Sequence, residues 1–119
     1  MTRIGLTYSH ALYAISDGVH VKIGRVTYHR GGWKSGAIIA VDARAAALQV
    51  GNPRRLTVGG IYDLSGCVTR EAQLAERQMH SLAASVTARA QGEWFVANRE
   101  LIRALRDFGF VISSRRAAH

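Results

Sequence analysis

Two short, mostly apolar runs stand close together near the start of the chain, and they constrain its fold more than any other feature. The first is Leu12-Tyr13-Ala14-Ile15, the second is Val21-Lys22-Ile23-Gly24, and Asp17-Gly18 lies between them. An Asp-Gly pair flanked by such runs is a strong local signal for an antiparallel hairpin. We therefore expect strands over residues 11–16 and 19–25, which would bring a phenol and an amine onto neighbouring strands.

A glycine-containing loop over residues 26–36 is expected to lead from this hairpin into a helix. The helix ends near residue 50, because Gly51 suits a left-handed helix end and Pro53 cannot continue a helix. Its start is open between two alternatives, since Ala37 could begin it or Asp42 could cap it.

Three further elements complete the predicted fold. A strand is expected over 55–64, with a bulge or bend at Gly59-Gly60. A second helix capped by Thr69 runs to about residue 84, and a third, capped by Asn98, ends at Gly109. The sequence thus predicts an α+β domain over 1–112, with a small three-stranded antiparallel sheet flanked by helices in the order β-β-α-β-α-α. We expect residues 113–119 to form a basic, flexible tail.

The charge of the chain points to an anionic partner. Its 119 residues include 16 lysines and arginines against 8 acidic residues, and Lys22 and Lys34 are the only lysines. Arginine is suited to bidentate contact with phosphate, so nucleic acid is the expected partner. No apolar run approaches the roughly 20 residues needed to cross a bilayer. With no apparent signal peptide and one cysteine, Cys67, we expect a cytoplasmic protein without a membrane partner.

One carboxylate stands out on the second predicted helix. Glu76 lies at the edge of the apolar stripe, beside Ala72 and Met79. A carboxylate that is partly removed from water needs a cation or a metal ion nearby. His80 follows one turn later on nearly the same side, either as a group near a site or as an ordinary structural histidine.

Five segments in chain order carry a family resemblance. They are Ala11-Leu12-Tyr13, Lys22-Ile23-Gly24, the run from Arg44 to Pro53, Ala75-Glu76-Arg77-Gln78-Met79-His80, and Gly92-Glu93-Trp94-Phe95. Together they resemble the GIY-YIG nuclease superfamily, in particular its compact branch found in phage and bacterial open reading frames. Lys22 stands where the second motif would have tyrosine, and Ala11 replaces a glycine of the first.

The resemblance implies a metal-dependent endonuclease that hydrolyses phosphodiester bonds in DNA. It implies that Glu76 holds one Mg²⁺ or Mn²⁺ and that Arg44 neutralises charge developing on the phosphate. Tyr13 would help to deprotonate the attacking water, although a free phenol has a pKa of about 10 and needs a cation nearby to act at neutral pH. Lys22 would orient the water or contact the phosphate, which Arg25 would also assist. Glu93 is expected to stabilise a turn.

The segment between the second motif and Arg44 is longer than is usual for this superfamily. It includes Arg30, Trp33 and Lys34, a mixture of basic and aromatic side chains. Two interpretations stay open: a loop that contacts nucleic acid through phosphates and stacked bases, or an ordinary insertion. Arg25 and His80 are further candidates for contact with nucleic acid.

Partners and rival functions follow from the small size of the chain. DNA is the expected substrate, with RNA left open. Because little lies beyond the catalytic core, sequence specificity should be low, or should come from a partner or a homodimer. The alternative is a non-catalytic nucleic-acid-binding module, or a phage interaction protein, that keeps the same fold.

Overall fold

The computed structural model describes residues 8–29 and 36–116, with side chains up to Ser113. Within these ranges the elements are β1 (Tyr8–Ser16), β2 (His20–His29), α1 (Gly36–Gln49), β3 (Thr57–Leu64), α2 (Thr69–Val86), β4 (Arg89–Gln91), β5 (Trp94–Val96), α3 (Arg99–Phe108) and β6 (Val111–Arg116). The strands form one antiparallel sheet in the order β4-β5-β2-β1-β3-β6.

The α+β class is confirmed, but the expected three-stranded sheet and the order β-β-α-β-α-α are wrong. The additional strands β4, β5 and β6 extend both edges of the central β2-β1-β3 unit, so the described sheet has six strands. Strand β6 pairs with β3 as far as Arg116. The boundary drawn at residue 113 therefore lies inside a strand, and residues 117–119 lie outside the described part.

The central hairpin is longer than expected, because β2 continues to His29 and takes up the first part of the predicted loop. Its tight turn is held by Asp17, whose carboxylate accepts hydrogen bonds from the backbone N–H groups of Val19 and His20 at 2.8 and 2.6 Å. Gly18 supplies the left-handed conformation at φ +95°. Opposite Tyr13 in the β1–β2 register lies Gly24.

Helices cover both faces of the sheet. On one face α1 buries Val41 and Ala45 against a cluster that includes Tyr13, and on the other α2 and α3 bury a larger set around Leu12 and Ile23. Side chains alternate along a strand. Lys22 and Gly24 therefore belong to the α1 face of β2, and Arg25 belongs to the α2 face.

The helix ends agree in part with their predicted signals. The first helix starts at Gly36, next to the proposed start at Ala37; the alternative cap at Asp42 is wrong, because Asp42 lies inside the helix. Asn98 caps α3, accepting a hydrogen bond from Leu101 N–H at 2.7 Å. The predicted cap at Thr69 is wrong, because the N-cap is Val68, whose N–H donates to the Glu71 carboxylate at 3.0 Å. No helix in the described part of the chain has the length and apolar character required to span a membrane.

Candidate functional site

The candidate site lies at the edge of β2, at the point where β5 stops pairing with it. Pairing between the two strands reaches Lys22 and Trp94, and the Ile23 N–H then donates to the Glu93 carbonyl at 3.0 Å. Beyond this point the side chain of Glu93 stands beside Gly24. Residues from the two faces of the sheet can therefore approach one another around this edge.

Gly24 makes room for the phenol of Tyr13. A Cβ placed on Gly24 would stand 2.5 Å from Tyr13 Cζ, closer still to its hydroxyl oxygen, and 3.0 Å from Glu93 Oε1. Gly24 does not adopt a positive φ, so the close approach of these side chains, and not the backbone conformation, requires glycine here. This explains the glycine of the second motif by packing within the protein.

Arg44 projects from α1 towards the same place. Its Nε donates to the Tyr13 hydroxyl at 3.4 Å, a long hydrogen bond. The hydrogen bond to Tyr13, and the negative charge that this phenol gains when it ionises, raise the pKa of the Arg44 guanidinium. Burial opposes this increase, and the charge of Glu93 adds to it. Tyr13 itself is only 1 % exposed. In this conformation it can hold Arg44 in place, but it has almost no access to water.

Two carboxylates and an imidazole converge on the other side of the β2 edge. Glu76 and His80 project from α2, and Glu93 comes from the β4–β5 turn. Their potential ligand atoms all lie within 4.8 Å of one another. Burial raises the pKa of Glu76, the neighbouring Glu93 charge raises it further, and His80 and Arg25 only partly oppose this. The two carboxylates therefore repel one another in a partly desolvated place.

The hydrogen bonding of His80 fixes the tautomer of its ring. Its Nε2 lies 2.7 Å from the carbonyl oxygen of Ile23. Since a carbonyl can only accept, Nε2 carries the proton and donates it. In the neutral ring Nδ1 then keeps its lone pair. A backbone carbonyl that fixes the tautomer in this way is typical of histidines that bind metal ions.

Two cations partly neutralise the carboxylates. Lys22 Nζ lies 3.0 Å from Glu93 Oε1, and Arg25 Nε lies 3.4 Å from Glu76 Oε1. The side chains of Lys22 and Arg25 are only 12 % and 22 % exposed, whereas that of Glu93 is 40 % exposed. The cluster is therefore open to solvent mainly through Glu93.

The structure brings the four predicted catalytic residues to one edge of β2, although from opposite faces of the sheet. Lys22, Arg44 and Tyr13 come from the α1 face, and Glu76 comes from the α2 face. Of the predicted nucleic-acid contacts, Arg25 and His80 lie in the acidic cluster. The other three lie outside the described residues: Arg30, Trp33 and Lys34.

Glu93 takes a larger part in the site than the turn-stabilising role predicted from the sequence. Instead of serving only a turn, its carboxylate pairs with Lys22, 71 positions away in sequence, and joins the cluster with Glu76. One feature of the sequence could have indicated this role: Glu93 is an acidic residue, in a strongly basic chain, that stands just before a buried aromatic strand. Its partners could not be identified without the pairing of β5 with β2.

Comparison of the chain with models of protein families, with curated proteins and with solved structures finds no match.

Proposed function

We propose that the chain is a metal-dependent endonuclease that hydrolyses phosphodiester bonds in DNA. One observation carries the proposal: an acidic cluster that includes a histidine lies beside three cations, Lys22, Arg25 and Arg44, at one edge of the sheet. Cleaving a phosphodiester needs a place for a divalent cation and positive charge for the phosphate, and this edge offers both. The net charge of +8 favours association with a polyanion.

The residues of the cluster fit a divalent cation. Glu76 and Glu93 would supply oxygen ligands and His80 a ring nitrogen, and these atoms already lie within 4.8 Å of one another. Oxygen ligands suit both Mg²⁺ and Mn²⁺, and the imidazole shifts the preference towards Mn²⁺. When bound, the ion would polarise the phosphate and lower the pKa of a coordinated water.

The protein side chains have distinct roles in this proposal. Arg44, held by the Tyr13 hydroxyl, neutralises charge that develops on the phosphate. Lys22 and Arg25, now paired with carboxylates, are placed to contact phosphate oxygens once the ion takes over that pairing. The role of Tyr13 as a general base stays a prediction, because its buried phenol would first have to become accessible.

A cleavage assay tests the proposal directly. Supercoiled, linear and branched DNA and single-stranded RNA are incubated with the protein and either Mg²⁺ or Mn²⁺. We expect cutting that chelator stops and that Glu76→Gln abolishes. Glu100→Gln, which removes an exposed carboxylate from α3, is the matched control and should cut normally. Cutting that survives both chelator and Glu76→Gln refutes the mechanism.

A non-catalytic nucleic-acid-binding module is the second candidate. The burial of Tyr13 and the Lys22–Glu93 pair favour it, since both leave the catalytic groups engaged with the protein. A module would shift DNA in a gel with a steep salt dependence, yet would never cut it with either ion. For either function we propose a cytoplasmic location, in keeping with the free thiol of Cys67.

A further inference from the structure

A polar cavity lies on the α2 face of the hairpin, beyond the acidic cluster. Its volume is about 280 Å³, and it is lined by Tyr8, His10, Arg25 and Thr27 of the hairpin and by residues 67–69 at the start of α2. No carboxylate is among the described residues that line it. Arg25 belongs both to this cavity and to the ion pair with Glu76, so the cavity adjoins the candidate site.

The polar groups of the cavity are arranged to donate. Arg25 Nη1 lies 3.0 Å from Nδ1 of the buried His10, and His10 Nε2 lies 3.4 Å from the Thr69 hydroxyl. Because a guanidinium cannot accept, Nδ1 is the acceptor and Nε2 carries the proton. The Thr69 oxygen then accepts, and its own hydrogen is free for a ligand. Burial and the charge of Arg25 lower the pKa of His10, which keeps the ring in this neutral form.

An exposed aromatic pair borders the cavity. The rings of Tyr8 and His29, opposite one another on β1 and β2, have centroids 4.9 Å apart. Tyr8 is 51 % exposed at the start of a strand whose next seven residues are buried. An exposed ring beside a cationic pocket can stack on a base while the pocket holds the attached phosphate.

We propose that this cavity binds a nucleotide with an unpaired base, next to the phosphate at the candidate site. The phosphate lies on Arg25 and Thr69, at the positive end of the α2 dipole, and the base stacks on Tyr8. This inference rests on the proposed function and specifies its substrate: nucleic acid with single-stranded character beside the scissile bond. A base within a duplex is already stacked on both sides, so it cannot use the ring of Tyr8.

Binding without cleavage tests the inference. Wild-type protein in chelator is titrated against a labelled 12-nucleotide single strand, as DNA and as RNA, and against a blunt duplex of the same length. We expect Tyr8→Ala to weaken single-strand binding at least about fivefold, the lower limit for loss of one stacked base, and to leave duplex binding within about twofold. Tyr8→Phe should bind normally, because the ring suffices for stacking. Thr69→Val should weaken single-strand binding about threefold, the effect of losing one weak hydrogen bond to the ligand.

Controls separate this inference from the proposed function. Val50→Ala, an exposed apolar change at the end of α1, should leave all binding unchanged. The inference is overturned if Tyr8→Ala binds the single strand as tightly as wild type does, or if it weakens duplex binding as much as single-strand binding. It is also overturned if Tyr8→Phe weakens single-strand binding as much as Tyr8→Ala does. A wild-type protein that binds neither probe overturns it as well. The proposed nuclease fails on a different result, the absence of cutting with Mg²⁺ or Mn²⁺.

Discussion

Replacing Gly24 by alanine tests the geometry on which the candidate site depends. The added Cβ would stand 2.5 Å from Tyr13 Cζ, whereas ordinary contacts begin at 3.4 Å. The ring would have to move by about 0.9 Å, the difference between these distances. Tyr13 is enclosed by α1 and β3, so this displacement meets packed neighbours such as Val41 and Leu56.

The expected loss in free energy of unfolding can be converted into a change in melting temperature. Adding a methyl group to a packed core costs about 1–3 kcal/mol. The entropy of unfolding is about 2.1 cal/mol/K per residue, or roughly 0.25 kcal/mol/K for a chain of this length. We therefore expect Gly24→Ala to lower the melting temperature by about 4–12 °C. Displacing the phenol should also break its long hydrogen bond with Arg44 and reduce any cleavage.

Gly59→Ala is the matched control for this substitution. Gly59 also lies in a central strand without a positive φ, but a Cβ there would approach nothing closer than Ala14 O at 3.4 Å. It should melt within about 2 °C of wild type by the same conversion.

A double-mutant cycle identifies the cause. In a Tyr13→Leu background the clashing ring is gone, so Gly24→Ala should cost no more than Gly59→Ala does. Thermal and urea unfolding measure all five proteins. The reasoning is refuted if Gly24→Ala is as stable as Gly59→Ala, or if its cost persists unchanged without the Tyr13 ring.

Four further outcomes follow from the site and the fold. The pKa of Glu76 is higher in the folded protein than in the unfolded chain, so ionisation of Glu76 lowers the free energy of unfolding as the pH rises from the unfolded pKa through the folded one. Glu76→Gln should remove that decline when urea unfolding is measured between pH 4 and 8. Mn²⁺ at ten times its dissociation constant should stabilise the protein by about 1.4 kcal/mol, or about 6 °C, and His80→Ala should abolish the shift in a thermal melt. Lys22→Met frees Glu93 from its ion pair, so calorimetry should find tighter Mn²⁺ binding; weaker binding would contradict the assigned ligand. Asn98→Ala removes the α3 cap and should cost about 1 kcal/mol, whereas an unchanged melt would show that the cap contributes nothing.

The parts of the fold that the sequence predicted well are those specified by neighbouring residues. Asp17-Gly18 sets the hairpin turn, Asn98 caps α3, and Gly59 is the extra residue where β3 changes register against β1. Each of these signals reflects a backbone conformation or hydrogen bond that involves residues only a few positions apart. They therefore appear in the sequence whatever the rest of the chain does.

The missed strands depend on long-range pairing. Strands β4 and β5 have three residues each, too few to display an alternating pattern. Strand β6 ends in Ser-Ser-Arg-Arg, a composition typical of a tail, and it is a strand because the edge of β3 supplies its hydrogen bonds. Without β5, nothing in the sequence could bring Glu93 to Lys22, so the site was predicted with one carboxylate.

The arrangement of charges at the edge of β2 gives the lysine at position 22 a defined role. Glu76 and Glu93 repel one another at a partly desolvated edge, and Lys22 and Arg25 oppose that repulsion from the two faces of the sheet. A tyrosine at position 22 could donate a hydrogen bond but could not neutralise Glu93. A divalent ion would replace both cations at the carboxylates and leave them unpaired beside it. Unpaired cations next to a metal ion form a strong phosphate site, so ion and substrate would each favour binding of the other. Lys22 would thus oppose carboxylate repulsion by itself and contact the phosphate when an ion is bound.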